Sequence, residues 1–248
     1  MSFLCEMKRY GEATTKYVSE IVLLRGSGCT WHRCSYCDYC LDENVNIMEN
    51  YKLNREVLKN VTGKHDKIQI VCSGSFAELD MFTLAEIKRV CTEVNMKEIV
   101  FEGHWQHRHL IPFMRDMFRD FVLKFNVGTE TFDIPFREVN MNKGMGMASP
   151  TDIREHFERT NIMFGIKGQT WDMFVTDIKI GLKLFEYVSV NIFTPNTTVV
   201  ERDDELIERF YNSELYQELK NHERCIVIDD LSPDKEDGFD GVGSEVKC

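Results

Sequence analysis

The sequence lacks several features that would each place a chain in a familiar class of proteins. It has no apolar run that approaches the roughly 20 residues of a membrane-spanning helix. Its opening residues, MSFLCEMKRYGEATTKY, contain no signal-peptide core and no cleavage signal. It has neither a G-x-S-x-G nucleophile elbow nor a Walker loop, which argues against Ser–His–Asp catalysis and against a P-loop. We therefore expect a cytoplasmic protein without a membrane partner.

Positive charge is also scarce. The chain has 30 Lys and Arg residues against 41 Asp and Glu residues, which gives a formal net charge of −11. Binding to a nucleic acid depends on clustered Lys and Arg, which release counterions from the phosphate backbone. DNA or a folded RNA is therefore not the partner that we expect. A small substrate, even one with a single phosphate, is compatible with this charge.

Cysteine, in contrast, is plentiful, with nine residues in the chain. In a reducing cytoplasm thiols serve metals or redox chemistry rather than cross-links. Four of the cysteines fall within the stretch CTWHRCSYCDYC, at positions 29, 34, 37 and 40. This loop follows the apolar run Ile21 to Leu24 and a turn that ends at Gly28. The other cysteines are scattered and show no spacing of metal ligands.

The spacing within this loop favours an iron–sulfur cluster. A cluster presents several iron corners on one small face, so a single loop can supply three thiolates and leave the fourth iron open. A structural zinc usually uses two Cys pairs that are roughly 12 to 20 residues apart, and no second pair follows here, so zinc ranks second and disulfides third. The preferred ligands are Cys29, Cys34 and Cys37, because the first of them directly follows the strand. Cys34, Cys37 and Cys40 are an alternative trio.

Strand-like and helix-like stretches alternate along the chain, which predicts repeated βα units, an α/β fold and a parallel sheet. The predicted strands span residues 21–24, 67–72, 98–102, 121–127, 162–166, 188–193 and 225–228. The predicted helices span residues 54–61, 83–94, 110–120, 150–157, 171–185 and 203–221. In β/α barrels the chemistry lies at the carboxyl ends of the strands, so we expect functional residues in the loops that follow them.

Polar and small residues do follow the predicted strands. The turn after the second strand is Ser73-Gly74-Ser75, in which glycine permits close approach of the backbone to a ligand. The third strand ends at Glu102 and leads into a loop with three His and one Arg, an unusual concentration in an acidic chain. The fourth strand ends in GTET, which presents Glu130, and the sixth leads to Asn191 and Asn196. Each turn alone is compatible with an ordinary loop, but together they indicate a ligand site.

The cysteine loop resembles the cluster loop of the radical S-adenosylmethionine (SAM) enzymes. It follows the first strand, as in that family, and an aromatic residue, Tyr36, directly precedes the third cysteine. Its C-x4-C-x2-C spacing has one more residue between the first two cysteines than the commonest family pattern. The resemblance implies a partial (β/α)6 barrel of the radical SAM type over residues 18–230. It leaves an N-terminal extension at 1–17 and an acidic tail at 231–248, which we expect to be loose.

The resemblance also implies the cofactors and their contacts. The cofactors are a [4Fe-4S] cluster on the three cysteines and SAM, which chelates the open iron. One electron then cleaves SAM, and the resulting 5′-deoxyadenosyl radical takes a hydrogen atom from the substrate, so no side chain is the implied catalyst. The implied SAM contacts are Tyr36, Ser73, Gly74, Ser75, Glu102, Glu130, Ile166 and Asn191. The implied substrate contacts are His104, Trp105, His107, Arg108, His109, Asn196, and Asp229 or Asp230.

Within the family, the stretches CTWHRCSYCDYC, SGSF and GTET resemble the enzymes of 7-deazaguanine nucleoside metabolism. The resemblance is greatest to the queuine lyases of queuosine salvage, which release the base queuine from queuosine or its 5′-phosphate. This implies a lyase that acts on a small nucleoside or nucleotide, with an electron donor such as flavodoxin or ferredoxin as its partner. Two alternatives stay open: another radical SAM enzyme of 7-deazaguanine or tRNA-base metabolism, and a non-catalytic module that binds zinc or an iron–sulfur cluster.

Overall fold

A computed structural model describes residues 7–229, 231 and 239–243 of the chain. These residues form one sheet of nine strands in the order β8-β7-β6-β5-β4-β3-β2-β1-β9. The strands are β1 (Tyr10–Ala13), β2 (Ser19–Leu24), β3 (Lys67–Cys72), β4 (Glu98–Gly103), β5 (Val122–Glu130), β6 (Arg159–Phe164), β7 (Tyr187–Ile192), β8 (Cys225–Ile228) and β9 (Phe239–Asp240). Strands β2 to β8 run parallel to one another, whereas β1 and β9 pair antiparallel at the edge beyond β2.

Helices connect the parallel strands. Within the described ranges they are α1 (Ile47–Leu58), α2 (Met81–Glu93), α3 (Ile111–Met117), α4 (Pro150–Arg154), α5 (Trp171–Leu184), α6 (Asp204–Tyr211) and α7 (Glu214–Asn221). A 3₁₀ turn at Trp105–Leu110 follows β4, and a π-helical turn at Phe136–Asn140 follows β5. The sheet is curled into part of a barrel, which confirms the predicted α/β class and the partial barrel.

The strands have one apolar face and one polar face. In β5, Phe125 and Val127 are fully buried in the main hydrophobic core, which they share with helix residues. Asn126 lies between them and points the other way, because successive side chains of a strand alternate between faces. Glu102 and Asn161 of the neighbouring strands contact Asn126 on that polar face. Since helices cover the apolar face, the polar face lines the inside of the curled sheet, which we call the lumen.

Two predicted helices are wrong in their extent. The single helix predicted at 203–221 is two helices, α6 and α7, which are separated at Ser213. The Ser213 side chain caps the first turn of α7, and a capping serine favours a new helix start over continuation of the old one. The helix predicted at 54–61 begins earlier, at Ile47, where the side chain of Asn46 caps it.

Two short strands close the edge of the sheet, and neither was predicted. The segment at 10–13 pairs with β2, and the segment at 239–240 pairs with the segment at 10–13. Most of the predicted acidic tail at 231–248 lies outside the described residues, so its looseness and the predicted domain limits stay predictions. No helix in the described part of the chain is long and apolar enough to cross a membrane.

Candidate functional site

The cysteine loop leaves the carboxyl end of β2. Gly28, which precedes the first cysteine, has a φ of 127°, and a Cβ at this position would lie 2.9 Å from the Glu43 carboxylate. Glycine therefore sets the path of the chain into the loop, since a larger residue would strain the turn. Its four cysteines are free thiols that are neither fully buried nor fully exposed: Cys29, Cys34, Cys37 and Cys40.

Two of the predicted ligands are shielded from water. Burial raises the pKa of Cys34 above its ordinary value and raises the pKa of Cys37 to about 12. Nearby charge acts on Cys34 in both directions, because Lys143 lowers its pKa and Cys29 raises it. A thiol binds a metal or a cluster as the thiolate, so binding at these two positions would release protons.

The donor chemistry of the loop fits an iron–sulfur cluster. Among the described residues, no three His, Cys, Asp or Glu side chains surround one point in the way that a single metal ion requires. A cluster does not need that arrangement, because each thiolate binds a different iron corner. Cys34 and Cys37 pack against the same small apolar cluster, so at least two of the preferred trio line one side of the loop.

A buried ion pair lies next to the loop. Lys143 Nζ donates hydrogen bonds to Glu130 Oε1 and to the Tyr36 hydroxyl, each at 2.8 Å, and that hydroxyl donates to Glu130 Oε1 at 3.0 Å. Burial opposes the charge on Lys143, but Glu130 and the thiols of Cys34 and Cys37 outweigh it and raise the pKa of Lys143. The site therefore holds a fixed positive charge beside two of the predicted ligands.

Glu130 is held in an uncommon backbone conformation. Its φ is 68°, and the pairing of β5 with β6 shifts register between Gly128 and Glu130. A Cβ at Gly128 would lie 2.3 Å from Glu130 Oε1 and 3.0 Å from Lys143 Nζ, so glycine leaves room for the ion pair. The second carboxylate oxygen of Glu130, Oε2, is buried and has no hydrogen-bond partner in the described part of the chain. A ligand that donates hydrogen bonds, such as the ammonium or ribose of SAM, would satisfy it.

A second carboxylate, Glu78, joins the cysteine loop to the turn after β3. Glu78 Oε1 accepts hydrogen bonds from the N–H and the hydroxyl of Thr30, at 2.6 and 2.8 Å, and Oε2 accepts from the Ser75 N–H at 2.5 Å. A Cβ at Gly74 would lie 2.1 Å from Glu78 Oε2, so this glycine makes room for the carboxylate. Ser73 Oγ accepts from the backbone N–H two residues after β2, at 3.0 Å. The SGS turn therefore anchors the loop.

Two of the histidines after β4 face this network. His107 lies between two hydroxyls, with Nδ1 3.0 Å from Ser75 Oγ and Nε2 3.0 Å from Thr30 Oγ1. The His104 ring stacks on Trp31, with centroids 5.9 Å apart, and its Nε2 lies 3.0 Å from the Lys143 carbonyl. Burial lowers the pKa of His104 to about 3, so this imidazole is neutral at pH 7.

The other residues of this loop turn away. The Arg108 guanidinium lies 4.2 Å from the centre of the Trp105 ring, and the same ring contacts His156 and Phe157. His109 is exposed, and its Nδ1 contacts a carbonyl of its own turn. The structure therefore does not bring all five predicted substrate contacts of this loop together.

Glu102 lies in the lumen with two amides. Asn126 Nδ2 donates to Asn161 Oδ1 at 2.8 Å, and the amide nitrogens of both residues lie 3.4 Å from Glu102 Oε1. Burial raises the pKa of Glu102, and the like charge of Glu130 adds to the rise. This carboxyl is therefore close to the predicted cofactor site but belongs to a separate polar group.

Ile166 and Asn196 lie beside the cysteine loop. Asn196 Nδ2 donates to the Tyr36 carbonyl at 2.7 Å and so ties the loop after β7 to the cysteine loop. Ile166 belongs to a small apolar cluster that packs against Cys34 and Cys37, formed by Tyr36, Phe136, Met141, Ile166 and Phe193. These positions agree with a wall of the predicted cofactor site.

The contacts seen for Asn191 and Asp229 are with residues outside the cysteine loop. Asn191 is half-buried and pairs in register with Met163. The Asp229 carboxylate accepts from the Tyr211 hydroxyl at 2.7 Å and lies 3.5 Å from the Arg202 guanidinium, so it already has partners. Asp230, its predicted alternative, lies outside the described residues.

Sequence reasoning missed several residues of the site. Glu78 is one of them: it forms a capping box with the predicted residue Ser75, and the S-x-x-E spacing of the pair is readable in the chain. Lys143 stands in an Asn-Lys-Gly turn to which no role was assigned. Asn126 and Asn161 could have been noticed as amides inside otherwise apolar strands, because a strand that is buried on both faces has no place for them.

The fold is similar to known structures. It matches queuine lyase from Clostridium spiroforme bound to SAM and queuine, with a TM-score of 0.86 and 35% identity over 92% of this chain and 97% of that one. It also matches methylornithine synthase, with a TM-score of 0.59 and 15% identity over 84% of this chain and 63% of that one, which shows the fold alone. Neither the protein-family models nor the curated proteins yield a match.

The match to queuine lyase decides between the open alternatives. Its identity extends over almost the full length of both chains, which a shared fold alone does not require. Queuine lyase is a radical SAM enzyme, so the 35% match indicates that this chain is an enzyme and not a non-catalytic metal-binding module. The chain belongs to the radical SAM superfamily and, within it, to the family of the queuine lyases.

Proposed function

We propose that this enzyme releases queuine from queuosine or from queuosine 5′-phosphate. One observation carries the proposal: the chain is 35% identical to queuine lyase over 97% of that enzyme's length. The net charge of −11 agrees with a free nucleoside or nucleotide as the substrate, because an acidic surface repels the phosphates of an intact tRNA. We place the reaction in the cytoplasm, where a flavodoxin or ferredoxin supplies the electron.

The cofactors of this function are a [4Fe-4S] cluster and SAM. Cys29, Cys34 and Cys37 would hold the cluster, which supplies the electron that cleaves the sulfonium bond of SAM. Lys143 keeps a positive charge beside two of these thiolates. The orphaned Oε2 of Glu130 is the acceptor for a donor group of SAM.

The surrounding loops position the ligands. Ser73 bonds to Gly26 before the cysteine loop, and Ser75 bonds to Glu78, which holds Thr30 of that loop. The backbone carbonyls of the Ser73-Gly74-Ser75 turn are our proposed contacts for the SAM amino group. Of the predicted substrate contacts after β4, His107 is best placed, because it is half-buried and contacts Thr30 of the cysteine loop.

The experiment is anaerobic reconstitution with iron and sulfide, followed by incubation with SAM, a reductant and single nucleosides or nucleotides. Queuosine or its 5′-phosphate should accelerate the formation of 5′-deoxyadenosine and should yield free queuine, both measured by mass spectrometry. Guanosine is the matched control and should do neither. Rapid SAM cleavage without queuine release from either substrate would contradict the proposal.

Single cysteine variants test the ligand set in the same assay. Cys29→Ala should lose the visible absorbance of the cluster and the cleavage of SAM, because a thiolate ligand is removed. Cys40→Ala is the matched variant and should keep both. The reverse result would assign the cluster to Cys34, Cys37 and Cys40, and a colourless protein with bound zinc would remove the cluster from the proposal.

A further inference from the structure

Three polar side chains on consecutive strands meet inside the lumen. Glu102 of β4 and Asn126 of β5 are partners in the sheet register, and Asn161 lies beside them on β6. The amides bond to each other at 2.8 Å, and both reach towards Glu102. Burying a carboxyl and two amides costs free energy unless each group finds partners. Such a group on three adjacent strands therefore needs an explanation beyond packing.

This group has unused hydrogen-bonding capacity. Asn126 is only 5% exposed, and its Oδ1 has no hydrogen-bond partner among the described residues. The two contacts to Glu102, at 3.4 Å, are long, because N–H···O bonds are ordinarily about 2.9 to 3.0 Å. Glu102 and Asn161 are half-buried, so the lumen reaches them. An orphaned acceptor beside an accessible carboxylate calls for a ligand that donates hydrogen bonds.

We propose that Glu102, Asn126 and Asn161 bind the hydrogen-bonding edge of a guanine-type base. That edge has two donors, the ring N1–H and the exocyclic amine, beside one acceptor, the ring carbonyl. The Glu102 carboxylate and Asn126 Oδ1 match the donors, and the Asn161 amide N–H matches the acceptor. An adenine edge satisfies only one of the two acceptors, because it has one donor, the exocyclic amine, beside an acceptor, the ring N1. The subsite therefore serves the base of the substrate and not the adenine of SAM.

This inference rests on the proposed function and adds the part of the substrate that is recognised. It moves Glu102 from the SAM contacts, where the sequence suggested it, to the substrate contacts. Glu130 and Lys143 are left as the charged groups beside the cofactor, since they contact the cysteine loop directly. The lumen group lies on the strands themselves, a more rigid support for selecting a base than a loop.

The test measures binding of free bases to the full-length enzyme, reconstituted and saturated with SAM, by titration calorimetry. The probes are queuine, 7-deazaguanine, which has the same edge without the queuine substituent, and 7-deazaadenine. Wild-type enzyme should bind 7-deazaguanine at least about 10-fold more tightly than 7-deazaadenine. Glu102→Gln should weaken the binding of queuine and of 7-deazaguanine roughly 10- to 100-fold, because one charged acceptor is lost. The Kd of SAM should stay unchanged.

Glu218→Gln is the matched control, because it makes the same charge change at an exposed position of α7 and should bind every probe as wild type does. Unchanged binding of 7-deazaguanine to Glu102→Gln would overturn the inference. If Glu102→Gln weakens the binding of SAM alone, Glu102 belongs to the cofactor site and the inference is overturned. If the variant weakens the binding of queuine alone, Glu102 contacts the queuine substituent, which also overturns it.

The wild-type preference tests the subsite even where Glu102→Gln does not fold. Equal or undetectable binding of the two 7-deaza bases to wild-type enzyme overturns the inference. Failure of the proposed function has a different signature. In that case wild-type enzyme prefers 7-deazaguanine and cleaves SAM, but it releases no queuine from queuosine or its 5′-phosphate, and the subsite stands.

Discussion

At the scale of single residues, Lys143 is the point at which the contacts of the site converge. Its Nζ bonds both Glu130 and Tyr36 in a nearly water-free environment. Lys143→Met would leave the Glu130 carboxylate buried without its counter-charge. Loss of one partner of a buried pair costs about 3 to 5 kcal/mol, so the free energy of unfolding in urea should fall by that amount.

A double variant separates the lost pair from lost packing. Lys143→Met combined with Glu130→Gln removes both charges, and it should recover most of the stability that the single variant loses. Failure of the double variant to recover stability would show that the shape of the lysine matters more than its charge.

Because His104 is buried and neutral, we expect the stability of the protein to fall in acid. Burial lowers its pKa from 6.5 to about 3, so the folded protein binds fewer protons here than the unfolded chain does. The contribution of His104 to stability is therefore complete above pH 6.5 and is lost as the pH falls. Between pH 6.5 and 5 the loss should be about 2 kcal/mol. His104→Gln should remove this part of the slope in denaturant titrations, and equal slopes for the two proteins would contradict the prediction.

At the scale of elements, the turn after the π-helical turn supports the cysteine loop. Gly144 has a φ of 71°, and a Cβ there would lie 2.2 Å from the Trp31 ring, which also donates to the Asn142 carbonyl at 2.8 Å. Gly144→Ala must displace Trp31 and with it the loop. We expect it to lose about 2 to 4 kcal/mol of stability and to bind less iron on reconstitution.

Gly146→Ala is the matched control for this prediction. Gly146 also has a positive φ, 60°, but no atom of the residues that the structure describes lies within 4 Å of the Cβ position. This variant should show only the backbone cost, about 1 to 2 kcal/mol, with normal iron content. If the two variants behave alike, the contact with Trp31 does not position the loop.

The strands and helices also show how far local sequence patterns predict secondary structure. The strands at 67–72 and 225–228 have the predicted bounds, because short apolar runs between turn residues depend on little else. The helix predicted at 203–221 is two helices in the structure. The prediction missed the break because the polar and apolar pattern continues past Ser213, and only the Ser213 cap reveals the interruption. The strand at 10–13 was missed, since an edge strand is defined by its partner.

At the scale of the whole molecule, charge selects the form of the substrate. A chain with a net charge of −11 should not hold an intact tRNA against the repulsion of its phosphates. We expect queuine release from queuosine 5′-phosphate but not from intact tRNA that carries queuosine, measured by mass spectrometry of the free base. The same tRNA digested to nucleotides is the control, and release from intact tRNA at a similar rate would contradict the prediction.

The βα order was readable from the chain alone, and the cysteine ligands were predicted from it, because the alternation of apolar runs and ligand spacing are local properties. The partners of those residues were not. Glu78, Lys143 and Asn126 come from segments far apart in sequence, and only the curled sheet brings the first two to the cysteine loop and turns the third into the lumen. A hydrogen bond depends on distance and direction in space, and these are set when the strands pair and the helices cover one face.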